Sequence, residues 1–442
     1  MEYIPDDQKQ AGLTQEPWGL VIGELDQAEE TGRDVSALRA TLSGIDPDDE
    51  SRLLELYEQI LALPAPPDWP YFESSDLSDI TAALPDAAPA SAPTELDDRM
   101  LGAWTGRVIG NMMGKPFEIG PTRTSIRSYL EALGRYPLTG YVPFPDGSDR
   151  GQLGMWGYES VTEGRIDGAI RDDDVDYTVL GLHLLETYGV GYTTRDVAFE
   201  WLSRFPAYQV FTAERNAYQN LIREVPLVDV GEYRNPFREW IGALIRADVF
   251  GYIYAGRNRE AALAAYEDAR LSHRANGVYG EMWAAALVSS AFTATTPEQS
   301  IVDSLAHVPS ESRLAEEIRT VLETYRTGAT WETALDELAA RHPRMSWVHT
   351  INNAGALTAA ILWGEGDFAR TVGLAVGAGL DTDSIGATAG SWAGAFVGHS
   401  GLPSSLVEPL RDSYRSGVFG IGDVRISDLS ARTVDLARAI AH

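Results

Sequence analysis

Apolar side chains recur every three or four positions along most of the chain, and the alternation typical of strands is scarce. This spacing predicts a helix at 51–63 and a long series of helices from residue 175 onward. The series is predicted at 175–187, 197–205, 240–254, 259–272, 280–292, 312–325, 331–341, 353–363, 368–376 and 385–397. We therefore expect an all-α fold, a compact bundle of many helices.

Glycine recurs at every fourth position in two distant segments. The two stripes consist of Gly102, Gly106, Gly110 and Gly114, and of Gly386, Gly390, Gly394 and Gly398. Four-residue spacing puts each set on one face of a helix, and each internal glycine costs about 1 kcal/mol relative to alanine. Close backbone packing would compensate for this cost. We expect the two smooth faces to meet and to bring distant carboxylates together.

The segment 84–94, rich in proline and alanine, divides the chain. It predicts an extended linker. Residues 1–95 are therefore interpreted as a small helical N-terminal extension with its linker, and residues 96–442 as the main domain. Within that domain, 134–168 is rich in glycine, proline and aromatic residues and predicts a long loop, a frequent place for lids and binding loops.

Charge and composition narrow the class of function. The chain of 442 residues has 65 acidic and 35 basic side chains and a formal charge of -30, which disfavours general binding to nucleic acid or anionic membranes. Cysteine is absent, so disulfides and cysteine-type zinc sites are excluded. Lysine occurs only as Lys9 and Lys115, which we interpret as a compositional bias. Neither a signal-peptide pattern nor a membrane-length apolar run is found, so a cytoplasmic location is expected.

Two acidic clusters stand where helices are predicted to begin. They are Asp172, Asp173 and Asp174, and Asp381, Asp383 and Ser384. Taken alone, each cluster is best interpreted as helix capping. Taken together they favour another interpretation, because adjacent carboxylates repel unless water or a cation surrounds them, and each cluster precedes a helix rich in small or apolar residues. Carboxylate and hydroxyl ligands suit magnesium or manganese, so the pattern predicts an oxygen-lined metal site.

The first cluster also resembles two other motifs. Its spacing resembles the start of a calcium-binding EF-hand loop, but Tyr177 stands where that loop needs glycine and His183 where it needs glutamate. The pattern Asp172-Asp173-x-x-Asp176 also fits the diphosphate-binding motif of the all-helical terpene and prenyl synthases. That alternative requires a second metal-binding motif with basic residues on a facing helix, which the second acidic cluster does not resemble.

Three segments occur in the order seen in the ADP-ribosylglycohydrolases, and over roughly 97–400 the chain resembles that family. They are 102–118, which ends Gly114-Lys115-Pro116-Phe117-Glu118; 172–178, which begins Asp172-Asp173-Asp174; and 379–398, which begins Gly379-Leu380-Asp381-Thr382-Asp383-Ser384. Each motif is weak alone, and three in order at suitable separations are fairly specific. The resemblance implies an all-helical fold with two magnesium or manganese ions in a central cleft.

The resemblance also implies residue roles. The family's two ligand groups fall on Asp172, Asp173 and Asp174, with aspartate in place of threonine, and on Asp381, Asp383 and Ser384, with serine in place of threonine. Glu118 matches the glutamate that closes the glycine helix and would orient or deprotonate water, with Asp173 and Asp383 as further catalytic residues. Asn111 stands in place of an aspartate, and Gly379-Leu380 in place of a glycine pair. Asn111 and Gly379 are assigned to substrate binding.

Other side chains are weaker candidates for binding. His273, followed by Arg274, is predicted to contact a phosphate or ribose, with a structural role as the alternative. Asn353 is predicted to line the cleft, and capping is the alternative. Three loop aromatics offer stacking surfaces for an adenine, or anchors for the loop. These are Tyr141, Phe144 and Trp156.

The sequence thus predicts a hydrolase that cleaves an N- or O-ribosyl bond through a binuclear magnesium or manganese site. Its substrate would be an ADP-ribosylated protein or a ribosylated small molecule. Alternatives are an N-ribosyl hydrolase of a small nucleotide metabolite, a catalytically inactive ADP-ribose-binding protein and, less favoured, a prenyl or terpene synthase. The pattern does not indicate an oligomeric state.

Overall fold

The computed structural model of the protein describes residues 16–144 and 158–440. Over these residues the chain forms twenty α-helices and one pair of short antiparallel strands, which confirms the predicted all-α class. The first half contains α1 Pro17–Glu30, α2 Ser36–Leu42, α3 Glu50–Leu61, α4 Leu77–Ala83, α5 Leu96–Gly114, α6 Arg123–Ala132, α7 Asp173–Tyr188, α8 Thr194–Arg204 and α9 Thr212–Ile222. The second half contains α10 Asp248–Ile253, α11 Asn258–Ala269, α12 Asn276–Ala291, α13 Pro297–Leu305, α14 Arg313–Arg326, α15 Trp331–Arg341, α16 Thr350–Gly364, α17 Phe368–Gly377, α18 Thr382–Val397, α19 Ser404–Val407, strands β1 Tyr414–Arg415 and β2 Asp423–Val424, and α20 Ile426–Ile440.

The helix predicted at 240–254 is wrong over its first half. Residues 241–243 form turns, a short 3-10 helix covers Leu244–Arg246, and only α10 is α-helical. The reason is a pairing with a distant segment: Trp240 forms an isolated antiparallel bridge with His349, and the backbone N–H of Ile241 donates to Val348 at 2.8 Å. Backbone groups used in this way are not available for a helix.

The two glycine stripes do meet, in a contact we call the glycine seam: Gly102, Gly106, Gly110 and Gly114 of α5 against Gly394, Gly390, Gly386 and Thr382 of α18. The order of the partners shows that the two helices run antiparallel. A Cβ on Gly110 would lie 1.9 Å from the carbonyl oxygen of Gly386, and one on Gly114 would lie 2.1 Å from that of Thr382. Since no Cβ fits at these distances, glycine is required along the seam. The seam places the C-terminal end of α5 beside the first turn of α18.

Buried apolar side chains form two separate clusters. The larger extends from Ile80 to Val434 and includes the helices around the seam. The smaller joins α1 to α3 and extends from Leu20 to Ile60. Phe72 and Leu77, which lie within the predicted N-terminal extension, pack against the larger cluster. Among the described residues, none of the helices combines the length and apolar character needed to cross a bilayer.

Candidate metal centre and its cavity

The second acidic cluster begins α18 at the end of the glycine seam. Asp381 is the residue before the helix, and its side chain makes no capping hydrogen bond. Its backbone N–H instead donates to Asn353 Oδ1 at 3.1 Å, and the hydroxyl of Thr382 donates to the Gly114 carbonyl at 2.9 Å. These two contacts hold the first turn of α18 without using the carboxylates of Asp381 and Asp383, which line the adjoining cavity.

The first acidic cluster begins α7. Asp172 does cap this helix, because its Oδ1 accepts from the backbone N–H of Asp174 at 3.1 Å. The hydroxyl of Tyr414 lies 3.2 Å from the backbone nitrogen of Asp172 and 2.9 Å from its carbonyl oxygen. Contacts from the C-terminal part of the chain thus hold this turn in place.

The two clusters converge although 210 positions separate Asp174 from Ser384. One carboxylate oxygen from each of Asp172, Asp174 and Asp383 lies within 4.8 Å of the others. The hydroxyl of Ser384 donates to Asp174 Oδ1 at 3.0 Å. Asp173 and Asp381 line the same cavity. All six residues assigned to metal binding from the sequence therefore lie together, as the paired glycine stripes led us to expect.

Lys115 lies in the middle of these carboxylates. Its Nζ is 2.6 Å from Glu118 Oε2, 2.7 Å from Asp172 Oδ2 and 2.9 Å from Asp383 Oδ2. This role of Lys115 was not predicted from the sequence, where the scarcity of lysine was interpreted as a compositional bias. The available signal was the position of one of the chain's two lysines between the last glycine of the first stripe and Glu118.

Asn111 and Glu118 are two further polar groups beside the acidic clusters. The Asn111 amide donates to Asp172 Oδ1 at 2.9 Å and to Asp174 Oδ2 at 3.1 Å. Asn111 therefore orients two carboxylates that belong to the candidate ligand set. Glu118 lines the cavity, and its Oε2 accepts from the Tyr158 hydroxyl at 3.2 Å.

The electrostatics of the cluster fit a bound cation. Burial, followed by repulsion from Asp383, raises the pKa of Asp174, Asp381 and Glu118, the last to about 8. Burial and Asp172 raise the pKa of the partly exposed Asp173 to about 7. These rises mean that the protein's own cations do not balance the clustered negative charge. Hard divalent cations prefer carboxylate and hydroxyl oxygens, so both the donor set and the excess charge fit magnesium or manganese.

The carboxylates form one end of a cavity of about 530 Å³. Besides Tyr158, one aromatic side chain from α7 and three from other segments also line it, and the sequence did not assign any of them to the site. They are Tyr177, Phe211, Trp240 and Trp347. Arg171 also lines the cavity, where its Nε lies 3.0 Å from Asp176 Oδ2. The cavity thus combines the carboxylates with these four aromatic side chains, which we call the aromatic wall.

None of the four residues assigned to substrate binding lines this cavity. Asn111 is buried and contacts the carboxylates of Asp172 and Asp174. His273 is fully buried, with Nδ1 2.8 Å from Ser272 Oγ, and burial together with Arg246 lowers its pKa well below the usual range. Asn353 is also fully buried and acts on the site through the backbone of Asp381. Gly379 has a positive φ of 69°, and a Cβ there would lie 2.2 Å from the backbone nitrogen of Arg123. Their positions indicate structural roles, because neither an enclosed side chain nor a backbone turn outside the cavity can contact a ligand inside it.

The loop aromatics are likewise outside the cavity or outside the described residues. The Tyr141 hydroxyl donates to the Leu406 carbonyl at 2.7 Å, which anchors the loop. The guanidinium of Arg165 lies 3.9 Å from the ring centre of Phe144. Trp156 falls in the segment that the structure does not describe.

Asp176, the third acid of the possible prenyl synthase motif, is held by the C-terminal part of the chain. Its Oδ1 accepts from the Ser416 hydroxyl at 2.7 Å and from the Gly417 N–H at 3.0 Å. Asp176 does not line the cavity that contains Asp172 and Asp173. Because a diphosphate-binding motif needs its acids at a shared site, this arrangement disfavours the prenyl synthase alternative.

Comparison with known proteins agrees with this geometry. The family model described as ADP-ribosylglycohydrolase matches residues 92–439. A solved structure described as an ADP-ribosylglycohydrolase-related protein complex aligns with a TM-score of 0.50 and 20% sequence identity, over 78% of this chain and 98% of the other. At that identity the alignment supports the fold alone. No curated protein matches the sequence.

Proposed function

The chain belongs to the ADP-ribosylglycohydrolase family, and we propose that it is a metal-dependent hydrolase that cleaves an N- or O-glycosidic bond to the ribose of an ADP-ribosyl group. The observation that carries the proposal is the meeting of two acidic turns, distant in sequence, at one end of a cavity of about 530 Å³. Cavities of a few hundred Å³ suit ligands of nucleotide size.

Magnesium or manganese is the proposed metal. Its ligands would come from Asp172, Asp173, Asp174, Asp381, Asp383 and Ser384. A bound ion would hold ribose hydroxyls and polarise water near a centre that develops positive charge. The sequence led us to expect two ions. How many bind depends on Lys115, because its ammonium already contacts Asp172 and Asp383.

Glu118 is the proposed proton acceptor. A carboxyl whose pKa lies close to the working pH can both accept and return a proton, and burial raises the pKa of Glu118 to about 8. Tyr158 donates to one oxygen of this carboxyl and so fixes its direction. Asp173 lines the same cavity and is proposed to act there as a metal ligand.

The aromatic wall is the proposed binding surface for the base of the substrate. Tyr177, Trp240 and Trp347 line the same cavity as the carboxylates, and stacking on flat rings is a common way to bind a nucleobase. An ADP-ribosylated protein or a ribosylated small molecule would then place its ribose near the metal. The two kinds of substrate differ in the leaving group attached to this ribose, so the released product identifies which one is cleaved.

Two other functions can be separated from this proposal by experiment. An N-ribosyl hydrolase of a small nucleotide would use the same carboxylates on another substrate. An inactive ADP-ribose binder would bind without turnover. Asn111 favours an active enzyme over an inactive binder, because its amide orients the carboxylates of Asp172 and Asp174. An aspartate at this position would add negative charge to the cluster.

The test is release of ADP-ribose from an ADP-ribosylated protein, and of base from an N-ribosylated nucleotide, with and without Mn²⁺. Activity should depend on the metal, and Asp383→Ala should lower it more than about 100-fold, since removing groups that only support a metal ligand already costs about 10- to 100-fold. Asp336→Ala is the matched control, because Asp336 is exposed and pairs with Arg123 outside the cavity. Full activity in folded Asp383→Ala would overturn the proposal, and ADP-ribose binding without product from either substrate would identify a binder.

A further inference from the structure

Lys115 contacts three carboxylates through a single ammonium group. An ammonium has three N–H donors and no acceptor. The three contacts, to Glu118, Asp172 and Asp383, are all between 2.6 and 2.9 Å, so the hydrogen-bonding capacity of Nζ is used in full by acidic partners. The side chain is only 15% exposed, and its charge is therefore committed to this cluster.

The position of Lys115 is set by the glycine seam. Lys115 follows Gly114 directly and begins a short 3-10 helix, Lys115–Phe117. Gly114 packs on the backbone of Thr382 so closely that a Cβ would lie 2.1 Å from the Thr382 oxygen, and Thr382 Oγ1 donates to the Gly114 carbonyl. The lysine backbone is thus tied to the same helix start that carries Asp383. The packed backbone around Gly114 therefore fixes where the Lys115 side chain begins, next to the carboxylates.

Two of the oxygens that Lys115 contacts belong to candidate metal ligands. Asp172 and Asp383 are two of the three carboxylates whose oxygens approach one another within 4.8 Å. A cation that bridged Asp172 Oδ2 and Asp383 Oδ2 would compete with Nζ for the same oxygens. The other oxygen of Asp383 differs: Oδ1 is buried and has no hydrogen-bond partner in the described part of the chain, while Asp383 as a whole is 2% exposed.

We propose that Lys115 is a tethered cation that takes the place of one metal ion, so that this chain binds one divalent cation where its sequence led us to expect two. The inference rests on the proposed function, because it concerns the same carboxylates. Asp383 Oδ1 would be available to the single ion, and the ammonium offsets part of the negative charge of Asp383, Asp172 and Glu118. Lys115 acts as a positioning residue that fixes the ligand carboxylates.

Counting bound Mn²⁺ by equilibrium dialysis of the full chain tests the inference without a substrate. The wild type should bind about one ion per chain, and Lys115→Met, which keeps an unbranched side chain and removes the charge, should bind about two. Paired ions in hydrolytic sites lie about 3.5 to 4 Å apart, so the Mn²⁺ electron paramagnetic resonance spectrum of Lys115→Met should show coupled ions and that of the wild type a single one. Arg123→Met removes a cation that pairs with Asp336 outside the cavity, and should behave as the wild type.

Each outcome has a distinct meaning. Two ions in the wild type would overturn the role of Lys115 and leave the proposed hydrolase intact. One ion in both proteins would also overturn it, because the ammonium would then not stand in an ion's place. No bound ion in a folded wild type, with no metal-dependent activity, would reject the proposed function itself. If Lys115→Met folds only when Mn²⁺ is present, its bound ions are counted after refolding with Mn²⁺. A count of two ions in the wild type overturns the inference whatever the variant does.

Discussion

The glycine seam and the contact of the N-terminal extension both join distant parts of the chain, but by opposite means. In the seam, backbone lies on backbone, and side chains are excluded: a Cβ on Gly106 would lie 2.1 Å from the Gly390 oxygen. At the extension, charged and polar side chains of α1 make the contact. Glu24 forms two hydrogen bonds to the guanidinium of Arg238, at 2.7 and 2.9 Å, and Gln27 donates to Glu239 at 2.6 Å.

This difference has consequences for the cavity. The seam fixes the metal-ligand end, because both acidic Asp383 and cationic Lys115 follow directly from its last backbone contacts. The extension contacts the segments just outside the aromatic wall: Arg238 and Glu239 precede Trp240, and His349 follows Trp347 by two residues. Backbone packing leaves no freedom of position, whereas side-chain pairs can adjust. Substitutions in the glycine seam should therefore disturb the carboxylates more than substitutions at the contact of the extension disturb the aromatic wall.

The largest expected effect follows from one methyl group in the seam. Gly110→Ala places its Cβ 1.9 Å from the Gly386 oxygen, so α5 and α18 must separate. Overpacking of a rigid core typically costs 1 to 3 kcal/mol and sometimes more, and here backbone must move on both sides. We expect a loss of at least about 3 kcal/mol in the free energy of unfolding, measured by urea titration, together with weaker Mn²⁺ binding.

Gly19→Ala is the matched control for this substitution. Gly19 also lies inside a helix, α1, but a Cβ there would meet nothing within 4 Å. Alanine should stabilise this helix by about 0.5 to 1 kcal/mol. If Gly110→Ala were as stable as Gly19→Ala, the seam would not be the rigid support described above.

The contrast also explains how far the sequence could predict the structure. A glycine at every fourth position has few explanations, so the meeting of α5 and α18 could be predicted, and the convergence of Asp174 and Ser384 followed from it. The direction of an individual side chain has no such pattern. Lys115 points into the carboxylates and His273 is enclosed away from them, although only the latter was assigned to the site.

The contact of the extension leaves no pattern in the sequence either. The ion pair of Glu24 with Arg238 joins residues 214 positions apart, and either residue alone is typical of a solvated helix face. The same limit applies to the helix predicted at 240–254, where apolar spacing was correct but pairing of Trp240 with His349 decided the backbone. Long-range hydrogen bonds override local spacing at both places.

A smaller effect is expected from breaking the ion pair of the extension. Glu24 is 3% exposed at its side chain and Arg238 19%, so Glu24→Ala leaves a largely buried guanidinium without its partner. Removing one member of a buried ion pair costs about 3 to 5 kcal/mol. Because Arg238 is partly exposed, we expect Glu24→Ala to lower the free energy of unfolding by about 2 to 3 kcal/mol, measured by urea titration. ADP-ribose should bind more weakly, because the wall at Trp240 loses support, while Mn²⁺ affinity stays unchanged.

Arg39→Ala is the control within the extension. Arg39 pairs with Asp26 and Glu29 of α1, but its side chain is 38% exposed and that of Asp26 54%. Exposed pairs contribute about 0.2 to 1 kcal/mol, so stability should change by less than about 1 kcal/mol and ADP-ribose binding should not change. Equal losses of ADP-ribose and Mn²⁺ affinity in Glu24→Ala would show that the two ends of the cavity are not supported separately.

The smallest effect concerns pH at the same contact. Burial, then repulsion by Glu239, raises the pKa of Glu30 to about 8, with Arg313 and Asp26 as the other charged neighbours. His349, whose Nε2 lies 3.5 Å from Glu30 Oε2, is neutral at physiological pH because burial lowers its pKa to about 3. Between about pH 4.5, the usual value for Glu30, and pH 8, the folded chain keeps a proton that the unfolded chain releases. This group's contribution to stability therefore falls as the pH rises.

Glu30→Gln removes that dependence while keeping the size of the side chain. One pKa unit corresponds to about 1.4 kcal/mol, and relaxation around the carboxylate reduces the full effect, so we expect a gain of about 1 to 2 kcal/mol over the wild type at pH 8 and none at pH 4.5. Urea unfolding of both proteins across this range measures the difference. If the stability of Glu30→Gln and of the wild type differed by the same amount at every pH, Glu30 would be ionised in the folded chain. The side chains at the contact of the extension would then have adjusted to hold this charge, which the rigid backbone packing of the seam does not allow.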